Sequence, residues 1–159
     1  MNEEQNPIKE VRLTPIRNGT VIDHIACGQA LNVIKILGIN ENNIYSSISI
    51  GIHVSSKALG WKDIIKIEDV EIDQKKSEQI ALVAPDATIS IVRDFYVAEK
   101  YKVVLGDHVT SLARCSNPNC ITNKGEPIPP EFEVTSKYPV QLKCCYCCRV
   151  LNNISDHLL

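Results

Sequence analysis

Lys143-Cys144-Cys145-Tyr146-Cys147-Cys148, read together with Cys115-Ser116-Asn117-Pro118-Asn119-Cys120, decides what the last third of this chain can become. The later segment holds two overlapping C-x-x-C pairs, 144/147 and 145/148, and the earlier one places two thiols in a turn-forming loop. Two short-spaced thiol pairs on separate loops can converge tetrahedrally on one Zn²⁺, with Zn–S bonds of about 2.3 Å. The approach strand chooses between the overlapping pairs. Val140, Leu142 and Cys144 point one way, Gln141 and Lys143 the other. The apolar side faces the core and the metal, so the expected ligands are Cys115, Cys120, Cys144 and Cys147. Cys145 then lies nearer solvent, and Cys148 is a spare. Four thiolates fill the coordination shell and leave no position for water or substrate, which makes the expected metal structural, one Zn²⁺ per chain. The competing reading, small buried hydrophobes or a redox pair, fits poorly with six of the seven cysteines falling between 115 and 148.

Outward from that cluster, the composition sets limits. The chain has 159 residues, 44% of them hydrophobic, with 17 Lys+Arg against 19 Asp+Glu. Near-balanced charge argues against a polybasic nucleic-acid or membrane binder. The longest apolar run, Ile80 to Ala84, is far too short to span a bilayer. The polar, acidic start Met1-Asn2-Glu3-Glu4-Gln5-Asn6 shows no secretion signal, so the expected location is the cytoplasm, where thiols stay reduced. Residues 101–159 hold six of seven cysteines and five of eight prolines, and a boundary is expected at Gly106, dividing the chain into residues 1–105 and 106–159. No long linker separates the pieces, so they should pack closely. A unit of roughly fifty residues buries little core and is expected to depend on its metal.

The first piece reads as alternating strands and helices. Arg12 to Ile25 is β-branched and broken at Asn18-Gly19, as one bent strand or a hairpin. Ala26, Ala30, Val33, Ile34 and Leu37 recur at helical spacing, with Gly38 at the stop. Ile44 to Val54 alternates, with Ile48, Ile50, Ile52 and Val54 on one side. Ile64 to Ile72 is another strand, Asp73 to Ala84 a helix capped by Asp73 and stopped at Pro85, and Thr88 to Val97 a last strand. The order β-α-β-β-α-β predicts a ferredoxin-like α/β sandwich with four antiparallel strands and two helices on one face, followed by the small zinc-ribbon-like all-β unit. The class is α+β.

This first piece shows no catalytic signature: no phosphate-cradling glycine loop, no nucleophile elbow, no paired histidines at helical spacing. Its conspicuous polar residues are Asp23 and His24 within an apolar run, and Lys62 and Lys66 on one side of a strand. On residue chemistry alone, a structural histidine and a solvated lysine face explain these at least as well as a ligand site does.

Asn18-Gly19-Thr20-Val21-Ile22-Asp23-His24-Ile25, Gly60-Trp61-Lys62-Asp63-Ile64-Ile65-Lys66-Ile67-Glu68 and Leu82-Val83-Ala84-Pro85-Asp86-Ala87-Thr88 resemble signatures of the aspartate carbamoyltransferase regulatory chain. The loops Cys115-Ser116-Asn117-Pro118-Asn119-Cys120-Ile121 and Leu142-Lys143-Cys144-Cys145-Tyr146-Cys147 resemble the same family in the same order. The resemblance runs from about Val11 to Val150. It implies a non-catalytic allosteric chain whose first domain binds nucleotide effectors (CTP, ATP and, in some members, UTP) and pairs with a second regulatory chain. It further implies a zinc domain that docks on the catalytic chain, which makes carbamoyl-aspartate in pyrimidine biosynthesis. By that resemblance Asp23 would lie near the ribose and His24 near the phosphates, with Lys66 at ribose or phosphate and Lys62 beside it. Ile16 and Val21 would line the nucleotide, and Pro15 or Ile16 would offer backbone groups to the base. Ser90, Val92, Phe95, Val97 and Lys100 would come from the last strand, Lys100 as a mobile charge for triphosphate. Cys145 and Cys148 are extra to the family's four-thiol pattern. The alternatives are a zinc-ribbon nucleic-acid-binding protein, for which the +1 net charge of residues 101–159 is a poor start, and a nucleotide-modifying enzyme.

Overall fold

In Gly19–Ile25 (β1), Thr20 and Ile22 are fully buried, while Val21 and Asp23 turn to the opposite side. That alternation makes β1 the centre of a sheet with one covered and one open face. The computed structural model describes residues 15–40 and 44–159. After β1 come a helix at Ala30–Ile36 (α1), strands Ile48–Ser56 (β2) and Gly60–Glu68 (β3), and a helix at Gln74–Ala81 (α2). Strands Thr88–Arg93 (β4) and Tyr96–Lys102 (β5) complete the first sheet, ordered β2-β3-β1-β4-β5 with every neighbour antiparallel. Ala30, Val33 and Ile36 of α1 and Ile80 and Ala81 of α2 pack with Ile22, Ile65, Ile67, Ile89 and Ile91 to form the core. Gly19 is required where it stands: at φ +140° a Cβ would meet the Ile67 carbonyl oxygen at 2.0 Å.

The ferredoxin-like order holds, with differences at the element ends. A fifth strand is present where the sequence predicts one continuous strand from Thr88 to Val97. Asp94 and Phe95 both take positive φ, 49° and 68°, and turn the chain back in a two-residue hairpin. That turn ordinarily uses Asn-Gly or Asp-Gly, so Asp-Phe gives no sequence signal for it. β3 begins at Gly60 rather than Ile64, because Trp61 and Gly60 pair with Ser55 and Ser56, and it stops before Asp69 at φ 59°. β2 starts at Ile48, and its alternation breaks at a bulge between Gly51 and Val54; Ile50 before the bulge and Ile52 within it are both exposed on this edge strand. The helix expected to reach Ala84 ends at Ala81 and continues as turns, with Ala84 N–H still bonded to the Ile80 carbonyl at 2.8 Å. Asp73 caps it as expected, accepting from Lys76 N–H at 2.8 Å. The Arg12–Leu13–Thr14 part of the first expected strand lies outside the described residues; within them the strand begins at Gly19.

A buried carboxylate fixes one corner of this sandwich. Asp63 is fully buried, and its Oδ2 accepts from the N–H groups of Gly28 at 2.9 Å and Ala30 at 3.0 Å. Its Oδ1 accepts from His53 N–H at 2.9 Å. One side chain on β3 thus anchors both the entry to α1 and the bulge of β2, giving donors that no strand or helix ladder would serve an acceptor.

The second sheet runs His108–Thr110 (β6), Glu131–Lys137 (β7), Val140–Cys144 (β8) and Val150–Leu151 (β9), in that order and antiparallel. Its core residues Val109, Phe132, Leu142 and Leu151 are continuous with those of the first unit through Leu82, Ala84, Val103, Leu105 and Leu112. Gln79 of α2, 1% exposed, donates to the carbonyls of Leu112 at 3.1 Å and Leu159 at 2.7 Å. Lys35 of α1 pairs with Asp156, and Ser155 donates to Asn32 at 3.1 Å, so the chain's last residues lie against α1.

Asp63→Ala strips three backbone donors of their acceptor and should lower stability by about 2–3 kcal/mol in urea denaturation of the full chain. Asp63→Asn, retaining one oxygen, should cost about half as much. An alanine variant as stable as the parent would show that these donors find other partners.

Candidate metal centre and effector face

Four thiols converge between the loop after β6 and the turn after β8. The sulfurs of Cys115, Cys120, Cys144 and Cys147 all lie within 4.8 Å of one another. Cys115 and Cys147 are 3.5 Å apart and Cys120 and Cys144 3.7 Å, close to the edge of about 3.8 Å that 2.3 Å Zn–S bonds give a tetrahedron. Cys115, Cys120 and Cys144 are buried and Cys147 half-buried, whereas Cys145 and Cys148 are exposed and outside the group. The strand alternation explains this: Phe132 faces Cys144 across β7–β8, so Cys144 shares the inner side and Cys145 falls on the outer.

The two loops are built alike. Each sulfur accepts from a backbone N–H two residues on: Asn117 for Cys115, Thr122 for Cys120, Tyr146 for Cys144 and Arg149 for Cys147. Thr122 adds a hydroxyl to Cys120 at 3.2 Å, and the Asn123 amide holds the first loop by bonds of 2.8 Å to the Cys115 and Asn117 carbonyls. Such donors suit thiolates, and four thiolates this close demand a cation. As thiols alone they divide their charge unevenly. Burial and then the neighbouring Cys147 and Cys144 push Cys115 up to about 12, against the pull of the Asn117 N–H. For Cys147 burial is outweighed by the Arg149 N–H, the Asn117 side chain and the other thiols, bringing it down to about 6. A divalent ion removes that conflict by replacing the shared protons. The donor set fits one structural Zn²⁺ with a closed shell.

The open face of the first sheet carries the other candidates. Ser49, Lys66, Val21, Ser90 and Lys100 stand directly opposite one another across five strands, so their side chains share one row. From Lys66 to Lys100 is three strand steps, roughly 14 Å. The next row holds Asp23, Thr88 and Lys102; on the other flank lie Gly19, Val92 and Val97. Lys62 pairs with Asp23 at 2.7 Å, both largely shielded from solvent. Partial burial alone would raise the Asp23 pKa, but the Lys62 contact and the His24 N–H outweigh it and hold the carboxyl below its ordinary range.

His24 sits at the β1 bulge with φ 54°, and its Nδ1 is buried with no hydrogen-bond partner among the described residues. An orphaned polar nitrogen beside a strained backbone is unusual in a merely structural histidine. Exposed Pro15 and buried Ile16 precede β1, and the neighbouring Arg17 carbonyl accepts from Phe95 N–H at 2.9 Å. The hairpin tip with exposed Phe95 therefore lies beside the Ile16 segment. Val97 and Lys100 sit on β5, not on one strand with Ser90 and Val92 as the sequence predicts. Sequence reasoning missed Lys102, whose two-residue spacing from Lys100 on β5 puts it on the same face, and it missed Asp63, which no pattern marked as buried.

With this geometry in view, the family model for the aspartate carbamoyltransferase regulatory chain, allosteric domain, matches residues 11–104, and that for the metal binding domain of the same chain matches residues 107–155. The chain is 51% identical over 152 residues to the aspartate carbamoyltransferase regulatory chain of Methanothrix thermoacetophila, covering 95% of this chain and 98% of that one. It is 49% identical to the same protein of Methanothermobacter thermautotrophicus (89% and 90% covered) and 43% to that of Pyrococcus furiosus (89% and 93%).

Removing the metal with a chelator should unfold the second unit. The expected readout is loss of its near-ultraviolet dichroism and of a zinc-dependent transition, since zinc binding of this kind contributes on the order of 10 kcal/mol of folding energy. Cys144→Ser and Cys147→Ser should mimic chelation while Cys145→Ser leaves the structural zinc bound. The reverse order of sensitivity would reassign the ligands.

Proposed function

We propose a division of labour for this chain, which belongs to the aspartate carbamoyltransferase regulatory-chain family: its first sheet reads nucleotide on the open face and reports through the helices on the covered face. Family membership makes it the non-catalytic, allosteric regulatory subunit of aspartate carbamoyltransferase in pyrimidine biosynthesis, with a catalytic-chain partner and one structural zinc. We assign residues 1–105 to effector binding and 106–159 to the zinc unit that meets the catalytic chain. The effectors of this reading are CTP and ATP, with UTP as a further ligand. Lys66 and Lys100 flank the triphosphate from opposite ends of their row, Val21 and Ile16 lie against the nucleoside, and His24 Nδ1 receives a partner from the ligand. The Asp23–Lys62 pair holds the ribose end, and Lys102 adds to the cationic field. A phosphate held by side-chain ammonium groups, without a glycine loop, makes effector affinity fall with salt. The cytoplasm, where all seven cysteines stay reduced, is the compartment this reading implies.

One observation carries the proposal: the two faces of a single sheet present different groups. Lys66, Val21, Ser90 and Lys100 lie on the open face, while α2 on the other face reaches the zinc unit through Gln79. A nucleotide that pulls the strands of the open face together shifts the helix layer, and with it the Leu112 and Leu159 carbonyls. Allosteric couplings amount to about 1–3 kcal/mol and are reciprocal. A bisubstrate analogue on the catalytic chain should therefore change CTP affinity by the factor with which CTP changes the analogue's, measured by calorimetry on the assembled complex. Lys100→Ala should weaken CTP about tenfold or more, whereas Gln79→Leu should leave CTP affinity within about twofold and drive the coupling factor towards one. Coupling that survives Gln79→Leu intact would reject the route through α2.

We also propose pairing of two regulatory chains along the β2 edge, within a larger hetero-oligomer. Ile50, Ile52 and Trp61 are exposed there, 41–52% each; β2 is the outermost strand among the described residues, and such an edge with apolar side chains is a ready partner for its own copy. Ile52→Lys should convert a dimer to monomer in sedimentation of the isolated chain; a parent chain already monomeric at high concentration would refute the interface.

A further inference from the structure

The outer side of the zinc unit carries a second group of donors that the thiol cage does not use. Thr110, Glu131 and Cys145 follow one another across β6, β7 and the end of β8, for Thr110 pairs with Glu131 and Cys145 N–H bonds the Glu131 carbonyl at 2.9 Å. His108 pairs with Glu133 and is therefore the diagonal neighbour of Glu131 on the same face. The inward residues of these strands, Val109, Phe132 and Cys144, are buried, which leaves this row outside. One imidazole nitrogen of His108, one carboxylate oxygen of Glu131 and the Cys145 sulfur all lie within 4.8 Å of one another. His108 Nδ1 and Glu131 Oε1 stand 3.8 Å apart, beyond hydrogen-bonding distance. Two such donors bound to a common tetrahedral ion at about 2.0–2.1 Å would be separated by about 3.4 Å. His108 and Cys145 are exposed and Glu131 half-buried, so rotation of these side chains closes the remaining gap.

We propose that His108, Glu131 and Cys145 form a second metal site, for a thiophilic divalent ion such as Zn²⁺, with its remaining position open to water. The donor chemistry supports this. Thiolate and imidazole select zinc-like ions over Mg²⁺ or Ca²⁺, and one thiolate with one carboxylate neutralises a divalent charge. Glu133 stands opposite Lys143 across β7–β8, and Glu131 opposite Thr110 across β6–β7. The site differs from the cage in kind. Its donors are exposed, one from each of three chemistries, and its coordination shell is incomplete, so its ion should bind more weakly and exchange faster. It also gives a use to Cys145, which the four-thiol cage has no need of.

The test is titration of the metal-free, reduced full chain with Co²⁺, following sulfur-to-cobalt charge transfer, with native mass spectrometry counting bound ions. A second equivalent, binding at least tenfold more weakly than the first, is expected for the parent chain. Cys145→Ser should abolish the second equivalent, His108→Ala should weaken it at least tenfold, and both should keep the first, which also certifies that the unit folds. Cys27→Ser should retain both equivalents. This control matters because Cys27 Sγ lies 3.1 Å from His53 Nδ1, another thiol–imidazole contact. Saturation at one equivalent, or a second equivalent unaffected by the Cys145 and His108 changes, or one lost with Cys27, overturns the proposal.

Discussion

Four thiolates within a few ångströms of one another are the constraint on which the second half of this protein depends. Left without a cation they repel, and their protons divide unevenly, with Cys115 pushed up to about 12 while Cys147 is drawn down to about 6. A divalent ion turns the same crowding into a crosslink between two loops more than twenty residues apart in sequence. The four N–H groups offered from positions two residues on show that the backbone is shaped for charge on sulfur. Cys115, Cys120 and Cys144 belong to the buried cluster themselves, so the cage is part of the core rather than an attachment to it.

That core does not stop at the zinc unit. Leu82, Ala84 and Leu105 join the residues under the first sheet to Val109, Leu112 and Phe132 of the second, and Gln79 crosses the same boundary with two bonds to carbonyls. The Oε1 of Gln79 is buried without a partner among the described residues, an uncommon cost for a side chain at such a place. A packed, partly polar boundary has a small number of discrete arrangements, which is what transmission between two ligand sites requires. In the first unit Asp63 plays the corresponding part, tying the entry to α1 and the β2 bulge to β3.

Much of this was legible in the residues. The cysteine spacing and the alternation of Val140, Leu142 and Cys144 were enough to separate Cys144 and Cys147 from Cys145 and Cys148, because strand side chains have a period of two and only one side is apolar. The β-α-β-β-α-β order followed from periodicity, and Asp73 announced its helix as a capping residue. The fifth strand was hidden because Asp94-Phe95 makes its turn without glycine, and the β2 bulge because an alternating pattern continues in sequence where the pairing slips.

The proposed effector face divides along the same line. Motif resemblance nominated Asp23, His24, Lys62, Lys66 and Lys100 one by one, but composition could not say that they share a surface. Strand register decides that: Lys66, Val21, Ser90 and Lys100 are distant in sequence and become one row only because their backbones pair antiparallel. The residues alone marked the β-α-β-β-α-β order and the grouping of the thiols, since both depend on local spacing, and their motifs carried the family resemblance. Tertiary structure alone decided the burial of Asp63 and Gln79, the orphaned nitrogen of His24 and the meeting of His108, Glu131 and Cys145. These depend on which distant segments pack together, and no local pattern records that.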